Sequence, residues 1–201
     1  MSQPRWPIIE GILTTENVDG SVNVAPMGPK VEGEFASLLL RPFPGSKTYE
    51  NLLRTRRGTF HVTDDVEMIA QAAVGDLKHA PEFLVTGDRG FHALQNCCRW
   101  YQLEAVQIQT EGDRASLSCR VQKSGKVREF SGLNRAKNAI LELAIIATRI
   151  HLLSSQEIDQ AIETMQSWVE KTGAEAELRA WKFLKATIAE RRNGHGESSG
   201  R

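Results

Sequence analysis

The sequence predicts an α+β fold, mainly β through residue 131 and helical from residue 132 to residue 192. Three observations predict it. Short β-prone runs separated by Gly and Asp turns fill the first part. Apolar residues recur at helical spacing after Gly132. The change of pattern falls at Ser131-Gly132, a natural break between two regions. Several short strands with turns between them point to a small barrel rather than a parallel sheet. The polar, Gly/Ser-rich stretch 193–201 is expected to be a mobile tail.

Along the chain, Ile8, Ile9, Ile12 and Leu13 form a β-prone apolar run with Gly11 inside it. Asp19-Gly20 marks a tight turn, because Gly accepts positive φ and Asp bonds back to its own backbone. The chain returns through Val22, Val24 and Ala25, completing a β-hairpin. Its continuation is unusual for a strand. Pro26 removes a ladder donor, Gly28 removes a side chain, and Pro29 stops pairing again. An edge strand ending in a Pro-rich turn accounts for this, and so does a flat ligand lying close against the backbone. Phe35–Leu40 reads as a buried strand and Thr59–Val62 as another, with Asp64 and Asp65 placed to cap a short helix through Val66, Ile69 and Ala73. Arg99–Thr110 and Ala115–Val121 form a second hairpin about Gly112-Asp113.

Beyond Gly132, Asn134 is placed as an N-cap, and Ala136, Ala139, Ile140, Leu143, Ala144 and Ala147 line one helical face. Ser154 or Ser155 caps the next helix with Glu157 in capping-box position, and Thr172-Gly173 ends it. A third helix carries Leu178, Trp181, Leu184 and Ile188.

Composition excludes several classes. Twenty-five basic and 25 acidic residues give a formal net charge of zero, against a chain-wide footprint for nucleic acid. No apolar run is long enough to span a bilayer and no signal-peptide core follows Met1, so a cytoplasmic location is expected. Cys97, Cys98 and Cys119 are odd in number and lack CxxC spacing, which fits reduced structural thiols. His61, His79, His92, His151 and His195 show no metal-binding spacing, so no metal site is expected.

One segment carries the residues that an oxyanion needs. A phosphate wants positive charge and several short donors converging on it. Gly45, Ser46, Lys47, Thr48 and Asn51 supply that combination, with Arg41 before them and Arg54, Arg56 and Arg57 after. Neither a Walker loop nor a GxGxxG fingerprint is present. A capped surface helix with solvated arginines is the plainer account of the same residues. Arg135, Glu142 and Arg149 recur every seven residues on an apolar helix; a solvated stripe and a row facing a dimer interface or an anionic ligand both account for them, and the reading favours a partly buried, satisfied network. No GxSxG elbow or local Cys/His pair appears, so any chemistry is assigned to a cofactor rather than a side chain.

NVAPMG after the DG hairpin, then RPFPGSKTYENL, GTFHVTDD and LNRAKNAILELAIIATR resemble the FMN-binding split-barrel proteins. These include flavin reductase-like proteins and the pyridoxamine-phosphate-oxidase-like group. Most similar is an uncharacterised flavin-reductase-like family, well represented in archaea, with a helical region after the barrel. The resemblance implies a homodimer of split β-barrels with one FMN at each end of the interface. It implies an isoalloxazine ring along Asn23, Val24, Ala25, Pro26, Met27 and Gly28, with backbone N–H groups near the ring's N5 and carbonyl oxygens. It places the phosphate near Arg41, Ser46, Lys47, Thr48 and Asn51. A flavin-dependent oxidoreductase is the activity it implies, with NAD(P)H or a small organic substrate as the partner. A non-catalytic FMN-binding module and a dimeric scaffold that has lost flavin are the alternatives.

Overall fold

A computed structural model describes residues 5–85, 87–112 and 114–197. The contacts divide the chain into two units. One comprises Met1–Asp64 with Ala80–Phe130, the other Asp65–His79 with Ser131–Arg201.

The first unit is built on a seven-stranded antiparallel sheet. Its strands are β1 (Gly11–Glu16), β2 (Val22–Met27), β3 (Lys30–Glu32), β4 (Ser37–Leu40), β5 (Arg57–Val62), and the long hairpin β8 (Arg99–Glu111) and β9 (Arg114–Lys126), in the order β2-β1-β5-β8-β9-β4-β3. Between β5 and β8, β6 (Phe83–Leu84) and β7 (Ala93–Leu94) form a small separate ribbon. The two ends of the sheet meet. Residues 7–16 pair with 22–31 in a single register: Gly11 lies opposite Met27, Asn17 N–H donates to the Ser21 carbonyl (2.8 Å), Ile9 N–H to Pro29 (3.1 Å), and Val31 N–H to Pro7 (2.9 Å). The segment before β1 therefore pairs with β3, and the sheet curls back on itself into a barrel, with an Ile8–Lys30 bridge at the seam. Closure removes the edges that such a sheet would otherwise expose. Past the seam β2 runs on, with β1 as its neighbour in the sheet.

Period-two alternation fills the barrel. Leu13, Leu38, Leu40, Phe60, Leu103 and Leu117 are buried together, and Leu52 from the short helix α1 (Lys47–Thr55) joins them. Alternate positions of the same strands face the other way. There Ile12 pairs with His61, and both are fully buried.

The second unit is helical: α2 (Val66–Val74), α3 (Arg135–Thr148), α4 (Ser155–Thr172) and α5 (Glu175–Glu197). Caps chosen from the sequence are in place. Asp65 accepts from Met68 N–H (3.0 Å), and Asn134 accepts from both Ala136 (2.8 Å) and Lys137 (3.2 Å). Ser154 and Glu157 form a reciprocal capping box. Val66 and Ala70 of α2 share a core with Ala139, Ile140 and Leu143 of α3, Ile158 and Val169 of α4, and Leu184 and Ile188 of α5. Long-range ties complete it. Arg179 forks onto Glu67 (3.0 and 2.8 Å), and Arg191 donates to the last carbonyls of two helices, Ala147 (2.7 Å) and Val74 (2.9 Å).

Two expectations change here. Arg135, Glu142 and Arg149 are exposed, and the favoured buried network is not formed. The reason is angular: at roughly 100° per residue their line runs more than a quarter-turn from the stripe through Ala136, Ile140 and Leu143. The backbone also stays helical through Glu197, past the start of the expected tail. Once a helix is anchored by packing, each added residue gains a hydrogen bond for its own two dihedrals. Residues 198–201 of that expectation lie outside the described residues.

Candidate functional site

The hairpin end of β1–β2 and the amino end of α1 come together in a web of short polar side chains. Asn23 Nδ2 donates to Thr48 Oγ1 (3.0 Å) and to Thr15 Oγ1 (3.3 Å). Asn51 Nδ2 donates to Thr15 Oγ1 (3.1 Å) and to Asn17 Oδ1 (2.8 Å). The hairpin holds its own shape: Asp19 accepts from the Ser21 hydroxyl (2.6 Å) and N–H (3.0 Å), bonds that keep its carboxyl below the usual range.

Of the residues picked from the sequence, Thr48 and Asn51 are buried within this web. Both amide hydrogens of Asn51 are committed to it, so Asn51 orients the helix against the hairpin. Ser46 is the N-cap, accepting from Tyr49 N–H (3.3 Å), and Gly45 before it takes φ +80°. A Cβ there would meet nothing within 4 Å, so open space lies above the turn. Ser46 is half-buried and Lys47 exposed. Of the first-turn N–H groups, Tyr49 and Glu50 are taken by Ser46, which leaves those of Lys47 and Thr48 with no intrahelical acceptor. With Lys47 beside them and the helix dipole behind them, this is chemistry that holds an oxyanion. Arg41 is exposed at the end of β4, outside the web.

The strand picked from the sequence, Asn23–Gly28, is the one that leaves the barrel wall. Every residue of β2 is half-exposed. The register set by Asn17–Ser21 and Ile9–Pro29 turns the main-chain groups of Asn23, Ala25 and Met27 toward β1. Val22, Val24, Pro26 and Gly28 therefore point theirs to the open side. Pro26 falls on an outward slot, where a missing N–H costs the sheet no bond. Gly28 lies opposite Glu10, and a Cβ there would sit 2.8 Å from Glu10 Oε1 and 2.9 Å from Ile8 Cγ2. The close approach that needs Gly28 is thus made by the chain itself. The open side of β2 carries the outward N–H groups of Val22, Val24 and Gly28, a row of donors suited to the edge of a flat, acceptor-rich ring.

Sequence reasoning did not find the role of His61. It is fully buried; Leu94 N–H donates to its Nε2 (3.0 Å), which leaves the Nδ1 proton for the Ile12 carbonyl (3.1 Å). Burial pushes its pKa down to about 4, so it is a neutral structural group. Cys97, Cys98 and Cys119 are buried free thiols, and burial raises all three, Cys97 and Cys119 to about 12. Among the described residues, no group of three His, Cys, Asp or Glu is placed to hold a metal ion, and no helix is long and apolar enough to cross a membrane.

Comparison with known proteins gives two results. The family model described as the N-terminal domain of a protein of unknown function (DUF447) matches residues 9–128, and its companion DUF447 model matches residues 134–186. Among solved structures, the FMN-bound DUF447 protein MM1853 from Methanosarcina mazei is similar at a TM-score of 0.77 and 26% identity, over 91% of this chain and 96% of that one. The styrene monooxygenase flavin reductase of Pseudomonas putida S12 matches at 0.49 and 15% identity, over 61% of this chain and 82% of its own. An FMN-binding protein from Thermus thermophilus, with bound 1-cyclohex-2-enone, matches at 0.49 and 18% identity, over 63% of this chain and 79% of its own.

Proposed function

We propose that this chain, which belongs to the DUF447 family, is an FMN-binding flavoprotein that works as a flavin-dependent oxidoreductase, as a cytoplasmic homodimer. The observation that carries the reading is the Asn23–Thr48 hydrogen bond. It ties an open strand edge, with outward donors for a ring, to a helix amino end with donors for a phosphate. A flavin mononucleotide has those two parts. The FMN-bound state of the M. mazei structure supports the same ligand.

On this reading, Ser46, Lys47 and Thr48 hold the phosphate, with Arg41 at the margin. Gly45 leaves the approach clear, and Asn51 fixes the helix against the hairpin. The edge of Val22, Val24 and Gly28 donates to the ring's acceptors, while Asn23, Ala25, Pro26 and Met27 set that edge in place. The bound flavin supplies hydride and electron transfer; the protein positions it and tunes its acceptors by hydrogen bonding. The partner is NAD(P)H or a small organic substrate.

The test is a titration of the purified chain with FMN, followed by flavin fluorescence and thermal melting together. Saturable quenching with a rising Tm is expected, because a ligand held only by the folded state stabilises it, by about 2.7 kcal/mol at a hundredfold excess over Kd. Bleaching of the bound flavin by NADPH or NADH then separates an oxidoreductase from a non-catalytic FMN module. No quenching at saturating FMN overturns the reading and leaves a scaffold without flavin.

A further inference from the structure

The web around Thr15 and Asn51 is followed, one helical turn on, by a second cationic cluster. Arg54 Nη2 donates to the main-chain carbonyl of Glu16, at the end of β1. The β1–β5 pairing ends at Thr14 and Thr59, two residues from Glu16 on one strand and from Arg57 on the other. Two guanidiniums therefore flank the end of the β1–β5 seam. Both are exposed. Each is steadied by a carbonyl rather than a carboxylate: Arg57 Nη1 donates to Arg89 (3.2 Å). Glu104, the partner of Arg57 across the β5–β8 pair, accepts from Gln122 (2.7 Å), Glu16 is bonded to His92 Nε2 (3.0 Å), and Asp88 is taken by Lys123 (2.9 Å) and Gln102 (3.1 Å). Among the described residues, neither Arg54 nor Arg57 forms an ion pair. Their forks keep N–H groups free for an oxyanion.

Beside the charges lies a flat platform. The Arg57 guanidinium sits over the Phe91 ring, 5.7 Å from its centroid. A planar cation laid on an aromatic ring offers a stacking surface for a nucleobase. A phosphate site next to a base-stacking surface is the chemistry of an adenosine phosphate. Its position fits as well, since Glu16 pairs on its other side with Val22, the first residue of the open edge.

We propose that Arg54, Arg57 and Phe91 bind the adenosine-phosphate half of a second nucleotide, whose redox-active end reaches the β2 edge. The role of this site as a donor subsite rests on the flavin reading; its affinity for the nucleotide does not. Two classes of ligand carry the required half: a nicotinamide dinucleotide with a 2′-phosphate, and a dinucleotide without it, nicotinamide or flavin.

Calorimetric titration of the full FMN-loaded chain with adenosine 2′,5′-bisphosphate and with 5′-ADP tests this. Binding of at least one is expected. Tighter binding of the bisphosphate assigns the site to the phosphorylated nicotinamide dinucleotide, and tighter binding of 5′-ADP to a dinucleotide without the 2′-phosphate. Arg57→Gln is expected to raise the Kd of the preferred nucleotide about tenfold, the loss of one charge-assisted contact, with the FMN Kd unchanged. Phe91→Leu is expected to weaken the nucleotide while leaving inorganic pyrophosphate binding as in the wild type. No binding of either nucleotide, or variants that bind them as the wild type does, overturns the proposal. If the chain takes a nucleotide here and no FMN, the flavin reading falls and the adenosine-phosphate site stands.

Discussion

His61 carries the clearest consequence at the scale of one residue. Its ring closes two buried main-chain groups, the Ile12 carbonyl and the Leu94 N–H, which no water reaches. Protonating Nε2 removes the acceptor that Leu94 needs and places a charge in a buried site. Folding therefore lowers the ring's pKa from 6.5 to about 4. The unfolded chain binds more protons than the folded one between those values, so this residue's contribution is complete above pH 6.5 and falls away as the pH drops toward 4. The expected loss over that window is about 3 kcal/mol, from 1.36 kcal/mol per pKa unit. Urea denaturation at pH 7 and at pH 4.5 measures it. His61→Asn is expected to be less stable at pH 7 and to show a flatter pH dependence; an equal slope in both proteins overturns the assignment.

The element that matters most for binding is α1, and its residues divide by burial. Lys47 is exposed and its side chain has no hydrogen bond among the described residues, whereas Thr48 is buried and receives the bond from Asn23. Lys47→Ala is expected to weaken FMN by about 1.5–3 kcal/mol, the range for a hydrogen bond to a charged group, with Tm unchanged in the absence of flavin. Thr48→Ala is expected to lower both FMN affinity and the Tm of the flavin-free chain. Parallel fluorescence and melting curves read the split; an unchanged FMN Kd for both means that the phosphate is held elsewhere. The caps of this and the other helices were readable because a cap is a local contract between one side chain and the next two or three N–H groups. Asp65, Asn134 and Ser154 act where the sequence puts them. The Arg135–Glu142–Arg149 line was misread because seven-residue spacing fixes a line on a helix and says nothing of which side the line faces.

For the whole molecule, the barrel seam sets the architecture. The continuous register of residues 7–16 against 22–31 serves two tasks at once: it closes the barrel with β3 and projects β2 beyond it. An open edge strand is a liability in a lone barrel, and a second subunit or a ligand along it removes that liability. The homodimer expected from the family resemblance is checked by sedimentation equilibrium, where twice the chain mass is the expected result. A monomer that still binds FMN separates the flavin reading from the oligomeric one. The helical unit also has an organisation that a linear division misses. α2 lies between two strands of the barrel in sequence, yet Val66 and Ala70 are buried in the core of the C-terminal helices.

The sequence by itself determined the fold class, the turns, the caps, the family and the segments that carry the candidate site. These rest on local rules: positive φ at Gly, side chains bonding nearby N–H groups, period-two and 3.6-residue apolar spacing, and contiguous motifs such as NVAPMG and KTYENL. The tertiary structure alone decided which of those residues meet. It brought Asn23 to Thr48 and committed Asn51 to Thr15 and Asn17. It filled the space at Gly28 with Glu10 and set Arg57 beside Phe91. Each of these is a pairing across tens of residues, set by strand register and barrel closure. A register is a property of two segments together, and neither segment encodes it alone.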